Sequence, residues 1–226
     1  MKAIHLEINK EECCDLAERL FFEMSGIDRK GDKFERMKEG ARRMRELVED
    51  RIDIKVKCIF YGGSDVELNN NGAVIGGEMF LCKAFEQIIP GHVKGAYVYA
   101  LTAGEYDFAG EAILNRLYSD IWGTAFTDAA RELLERELSR IDMISDGFGP
   151  GFYGMPASEM MKIDRLLNFV DIGVELKNNR ILTPVKSCCG MFFSVTEGYE
   201  RIDNACGDCT GSEKSCILCR KISCVT

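Results

Sequence analysis

Apolar side chains recur at steps of three and four between Lys10 and Met24 (Cys13, Leu16, Ala17, Leu20, Phe21, Met24), which predicts an amphipathic helix ended by Gly26. A second helix is predicted from Asp32 to Arg51, with Phe34, Met37, Ala41, Met44, Leu47 and Val48 on one side and Arg36, Lys38, Arg42, Arg43 and Arg45 on the other. That basic face reads as a solvated surface rather than a partner dock. From Ile52 the period falls to two: Ile54, Val56, Cys58 and Phe60 alternate, and Val66, Leu68 and Val74 flank Asn70-Asn71-Gly72, the pattern of strands joined by a tight turn. A short helix near Met79 to Ile88 and a strand run from Lys94 to Thr102 follow. The longest pattern is helical, from Glu105 to Arg140, where Ala109, Ile113, Leu117, Ile121, Ala125, Ala129 and Leu133 recur every fourth residue. Unbroken, such a helix is about 50 Å long and spans a domain. A helix from Ser158 to Val170, a hairpin turning at Asn178-Asn179 within Val174 to Leu182, and a strand from Val185 to Val195 complete the pattern. Strands and helices alternate without a strict strand-helix-strand repeat.

Composition limits what this pattern can be. The chain has 226 residues, of which 46% are hydrophobic and 29% charged, so a real core is available. One domain over residues 1–200 with a small appendage over 201–226 suits this length better than two equal domains. Lys and Arg total 29 against 37 Asp and Glu, a formal charge of −8, which argues against nucleic acid or an anionic membrane as partner. The first residues lack the apolar stretch of a signal peptide, and no uncharged apolar run approaches the roughly 20 residues of a membrane span, so a cytoplasmic location is expected.

Eleven cysteines change the picture, because in a reducing compartment they serve as metal ligands, redox groups or small core residues. The spacing Cys206-x2-Cys209-x6-Cys216-x2-Cys219 places two thiolate pairs close together, enough for the four sulfur ligands of one zinc ion or one iron-sulfur cluster. A redox-active dithiol pair or inert cysteines are the less favoured readings. Spacing does not choose between the two metals, and the bland role for such a site is to supply folding energy to a tail with little core of its own. Cys13-Cys14 is expected in the core, Cys188-Cys189 either lies near this site or, as the favoured reading, fills a small buried space, and Cys224 has no assigned role. The only histidines, His5 and His92, lack zinc-protease spacing, and no dinucleotide, phosphate-cradling or serine-elbow motif occurs.

One loop carries a ligand signature. Asp146-Gly147-Phe148-Gly149-Pro150-Gly151-Phe152-Tyr153-Gly154-Met155-Pro156 combines glycines that admit close backbone approach, aromatic faces for stacking, and prolines that stiffen the turn. A plain structural connection packed by Phe148 and Phe152 has the same composition. The patch Gly123-Thr124-Ala125 on the long helix admits either close helix packing or a ligand.

The order of these pieces resembles the activation (reactivation) domain of cobalamin-dependent methionine synthase in a stand-alone form. The residues that carry the resemblance are Tyr99 to Gly104 (YALTAG), Trp122-Gly123-Thr124-Ala125, Gly149 to Pro156, Ile172 to Leu176, and Thr183 to Gly190, within a match over most of residues 10 to 195. It implies an α+β fold with a bent, mostly antiparallel sheet, flanking helices and one long central helix, to which the Cys-rich tail is an addition. It also implies S-adenosylmethionine as the methyl donor that rescues oxidised cobalamin after a one-electron reduction, with the cobalamin held by a separate corrinoid protein or cobalamin-dependent methyltransferase. The chain departs from that pattern at Gly147, where an arginine is expected, at Phe152, where a tyrosine is expected, and at Thr124, where an acid is expected. The cofactor-binding positions implied are Thr124, with Asp128 one turn on in place of the missing acid, and Gly149, Pro150, Gly151, Phe152 and Tyr153. Because a cluster passes single electrons and zinc does not, the resemblance favours an iron-sulfur cluster at Cys206, Cys209, Cys216 and Cys219. The function implied is reductive reactivation of a corrinoid partner. The alternative is a non-enzymatic metal-binding or scaffold protein that keeps the fold without adenosylmethionine binding.

Overall fold

The computed structural model describes residues 1–27, 30–69, 72–105 and 112–202. The fold is α+β, with ten strands and four α-helices among the described residues. In chain order these are β1 (Lys2–Ile4), α1 (Lys10–Met24), α2 (Phe34–Glu49), β2 (Lys55–Gly62), β3 (Val66–Asn69), β4 (Gly72–Ile75), β5 (Glu78–Leu81), β6 (Val93–Thr102), α3 (Ile113–Ile141), β7 (Ile144–Phe148), α4 (Met160–Leu167), β8 (Glu175–Lys177), β9 (Ile181–Thr183) and β10 (Ser187–Val195). The main sheet has the order β1-β2-β6-β10-β7, and each of its pairings is antiparallel.

Alternation along β6 explains the layers. Tyr97, Tyr99 and Leu101 face a core built with α1, α2 and α3, while Ala96, Val98 and Ala100 face a second core with α4 and the β3-β4-β5 sheet. A sheet covered on both faces needs apolar residues at every position of its central strands, which is why β6 from Gly95 onward is buried without interruption. On the helical side Trp122 stacks on Phe21 of α1 at 4.1 Å and donates its indole N–H to the Ala41 carbonyl of α2 at 2.8 Å. One side chain thereby pins three helices. Cys13 and Cys14 are buried in this core, as their place in an amphipathic helix suggests.

Several sequence expectations need correction. The long helix begins at Ile113 rather than Glu105: Gly104 has a φ of +100° and Ala112 is extended, so the helix starts eight residues later and its 29 residues measure about 43 Å. The stretch Met79 to Ile88 is a strand, β5, followed by a 3₁₀ turn at Lys83–Gln87. Its helix-like spacing arises because β5 buries only Phe80 before Ala84, Phe85 and Ile88 take over. Asp146, Gly147 and Phe148 belong to β7, an edge strand whose glycine pairs with Phe192, so the irregular loop starts at Gly149. α1 has the predicted bounds, and Asn178 and Asn179 carry positive φ in the β8–β9 hairpin. β3 pairs with β4 on either side of Asn70 and Asn71, which lie outside the described residues. The helix expected from Ser158 to Val170 is shorter, because α4 spans Met160–Leu167 and stops where Asn168 takes a φ of +54°. The tail from 203 onward, with all its cysteines, lies outside the described residues. No helix among the described residues is long and apolar enough to cross a membrane.

Candidate functional site

The loop after β7 is held from beneath and open above. Phe148 is fully buried, in edge contact with Phe85 at 5.1 Å and Tyr153 at 5.1 Å. Tyr153, at φ +54°, turns its carbonyl to the Ala84 amide (3.2 Å) and the Cys82 thiol (3.3 Å). Gly151 N donates to Met155 O at 2.9 Å and Met155 N to Phe152 O at 2.9 Å, closing the loop on itself. Gly151, at φ +91°, faces open space, and Phe152 is 52% exposed. The loop therefore presents Gly151 and the Phe152 ring outward from a rigid base. Of the two aromatic residues in the structural reading of its composition, Phe148 packs and Phe152 does not.

Helix α3 carries the polar positions Asp120, Thr124, Asp128, Arg131 and Glu135, whose steps of four, four, three and four place them on one stripe. Lys186, just before β10, donates to Asp120 Oδ1 at 2.7 Å and to Thr124 Oγ1 at 3.0 Å, and its side chain is only 15% exposed. Its own backbone is fixed by the Ala103 amide, which donates to Lys186 O at 2.8 Å, and Ser187 Oγ donates to Thr102 Oγ1 at 2.8 Å. Further along the stripe Arg131 Nη1 pairs with Glu135 Oε2 at 3.3 Å. Burial opposes the charge of the Arg131 guanidinium, but the neighbouring Tyr99, Glu135, Cys188 and Asp128 favour it more, so it holds its proton above the usual arginine range. Burial pushes the Cys188 thiol up to about 12 despite Arg131, and raises Tyr99 well above the tyrosine range. Cys188 is half-buried, against the expectation of full burial, whereas Cys189 is buried.

Strand β10 joins the two halves. Cys188 faces α3, while a Cβ on Gly149 would come within 3.0 Å of Cys189 O, and one on Gly190 would meet Phe148 O at 2.4 Å and the Tyr99 hydroxyl at 3.1 Å. Glycine at both positions lets β7 and β10 approach where the loop begins. Of the implied positions, Thr124 and Asp128 thus lie on the stripe, and Gly149, Pro150, Gly151, Phe152 and Tyr153 on the loop, with β10 between the groups. Ala125, beside Thr124, is buried in the helical core. The sequence reading assigned no role of their own to Lys186, which bonds Thr124, or to Arg131, which follows Asp128 on the stripe. The polar spacing inside a largely buried helix was the available signal for Arg131. At Gly147 an added Cβ would lie 2.8 Å from the Phe192 ring, so the space on the α3 side that a side chain there would enter is filled by Phe192, which stacks on Tyr99 at 5.4 Å. The four tail cysteines lie outside the described residues. Among the described residues, no group of three or more His, Cys, Asp or Glu side chains is arranged to hold a metal ion.

The last described residues reach the same region. Asp146 of β7 accepts from Tyr199 Oη at 2.9 Å and from Ile202 N at 3.0 Å, and Arg201 lies 4.0 Å from Glu135.

No protein-family model matches the sequence, and no curated protein matches it. Among solved structures the chain is similar in fold to the reactivation domain of MetH, crystallised with AdoHcy bound, with a TM-score of 0.61 over 88% of this chain and 80% of that one. The sequence identity is 14%, so the correspondence is one of fold.

Proposed function

We propose that this protein binds an S-adenosyl ligand between the α3 polar stripe and the Gly149–Pro156 loop, and assists methyl transfer to a corrinoid held by another polypeptide. One observation carries the reading: the glycine, proline and aromatic loop singled out in the sequence occupies a fold shared over 88% of the chain with a domain crystallised with AdoHcy. The chain's own groups suit the task. Phe152 offers an exposed stacking face, the loop backbone admits close approach, and Lys186 fixes Asp120 and Thr124 before a ligand arrives, so little order is lost on binding. In the reaction, one electron reduces the partner's oxidised cobalt, the methyl carbon leaves the sulfonium sulfur for the cobalt, and S-adenosylhomocysteine is released. The electron source belongs to the same proposal: Cys206, Cys209, Cys216 and Cys219 hold one centre, an iron-sulfur cluster in preference to zinc, because only the cluster exchanges electrons.

The test mixes the protein, purified without oxygen, with an isolated corrinoid protein, a reductant and S-adenosylmethionine, and follows methylcobalamin. Methylation that requires this protein supports the proposal. Absence of methylation with every corrinoid protein of the same cell, together with no adenosylmethionine binding, replaces it with the metal-scaffold reading. Iron analysis and an absorption band near about 400 nm test the cluster, and one zinc per chain in colourless protein would overturn it while leaving the four-cysteine site intact.

A further inference from the structure

Strand β5 ends the small sheet and, among the described residues, pairs only with β4, so no strand lies along its outer backbone edge. Two side chains from just beyond the ligand loop stand there instead. Glu159 accepts from the Leu81 amide at 3.1 Å, and Lys162 of α4 donates to the Met79 carbonyl and to the two Glu159 oxygens at 2.9 and 2.7 Å. Glu159 is only 2% exposed although it carries a carboxylate, and the Lys162 ammonium also lies 5.9 Å from the centre of the Phe80 ring.

The same contacts continue into the loop. Just past β5, the Cys82 thiol and the Ala84 amide both donate to Tyr153 O, and Gly154 lies so close to Lys83 that an added Cβ would stand 2.8 Å from the Lys83 Cβ. The Glu159 amide in turn donates to Pro156 O at 3.0 Å. Residues 81–84 and 153–159 therefore form a frame joined at both ends, from which Gly151 and Phe152 project.

We propose that Glu159 is a positioning residue for the ligand loop. Its hydrogen bond from Leu81, with Lys162 holding the carboxylate in place, fixes residues 82–84 as the seat on which Tyr153 rests and so presets the loop to receive a ligand. The proposal rests on the S-adenosyl reading of the loop. Two observations favour it over a pair that only stabilises the fold. Desolvation offsets much of the attraction within a buried ion pair, and apolar residues of similar volume stabilise as well or better. What the pair supplies is register, which the apolar pattern of β5 leaves open: Phe80 is fully buried while Met79 and Leu81, apolar as well, are 42% and 46% exposed, so either face of the strand could be turned to the core. The Gly76-Gly77 turn sets the β4–β5 hairpin at one end, and Glu159 with Lys162 sets it at the end where the loop rests.

Two double variants separate the hydrogen bond from the charges: Glu159→Gln/Lys162→Met and Glu159→Met/Lys162→Met. Both remove the ion pair and fill the space with unbranched side chains, but only the first keeps an oxygen for the Leu81 amide. The readouts are calorimetric titration with S-adenosylhomocysteine and amide hydrogen exchange, well below the unfolding temperature. The variant without the oxygen should bind about tenfold or more weakly, and its Ala84 amide, whose acceptor is unaltered, should exchange about tenfold faster, while the Phe193 amide in the main sheet keeps its rate. The variant that keeps the oxygen should match the unaltered protein within about twofold in both readouts. Glu159→Leu/Lys162→Met supplies the answer if the variant without the oxygen fails to fold. Unchanged affinity in the variant without the oxygen, or equal losses in the two variants, overturns the positioning role while the S-adenosyl reading stands. Failure of the unaltered protein to bind overturns both.

Discussion

Gly190 and Gly147 are glycines for different reasons, and the difference is testable. At Gly190 a methyl group would collide with the Phe148 carbonyl at 2.4 Å, and backbone cannot swing aside as a flexible side chain can. Gly190→Ala should lower stability by about 1–3 kcal/mol, read by denaturant unfolding, and should weaken ligand binding by shifting the start of the loop. At Gly147 the obstacle is the Phe192 ring, packed on Tyr99. Gly147→Arg should therefore destabilise the protein by a similar amount and should not tighten ligand binding, as measured by calorimetry alongside thermal unfolding. Single residues of the site were only partly legible in the sequence. Glycine, proline and aromatic residues announce a loop by composition, whereas Arg131 and Lys186 are ordinary surface cations in sequence and gain meaning only when α3 lies beside β10. Gly151 is a poor place for a blocking substitution, because its φ of +91° would strain any other residue and confuse lost binding with lost structure.

Among elements, α3 decides the geometry, and its far end is held by one acid. Asp142, just past the helix, accepts hydrogen bonds from Lys94 of β6 and Ser194 of β10. Burial raises its pKa, but Lys94, Ser194 and the Met143 amide outweigh that and leave it below the usual aspartate range. A carboxylate lowered in the folded state contributes stability that is present above its unfolded pKa and is lost as pH falls through the folded value. Asp142→Asn should accordingly cost up to about 1 kcal/mol at neutral pH, with the difference from the unaltered protein shrinking in acid below the usual aspartate range. Equal losses at all pH values would assign Asp142 a purely steric role. Element type was readable wherever one periodicity ruled, as in α1 and β2. It was misread where two short elements share an apolar run, as at β5 and the 3₁₀ turn after it, and where an edge strand contains a glycine, as in β7. The start of α3 was overextended because the fourfold apolar pattern continues upstream through Ala109 into residues that are not described.

At the scale of the molecule, the main sheet is closed on both faces by apolar layers, with α3 on one face and the buried side chains of the loop on the other. The fold was legible through a resemblance rather than through periodicity: at 14% identity, what this chain shares with the MetH reactivation domain is the fold. Phe152 is half exposed and makes little contribution to the core, and on the proposed function it is the outer wall of the site. Phe152→Ala should change stability by less than about 0.5 kcal/mol while removing a stacking contact of about 1–3 kcal/mol with an adenine base. The most direct measurement is calorimetric titration of the full-length protein with S-adenosylhomocysteine, paired with the same titration of Phe152→Ala. Saturable binding at one site per chain, weakened about tenfold or more in a variant with an unchanged melting temperature, is the expected result. No binding by the folded, unaltered protein, or equal binding by the two, would contradict the placement of a nucleoside ligand at this loop.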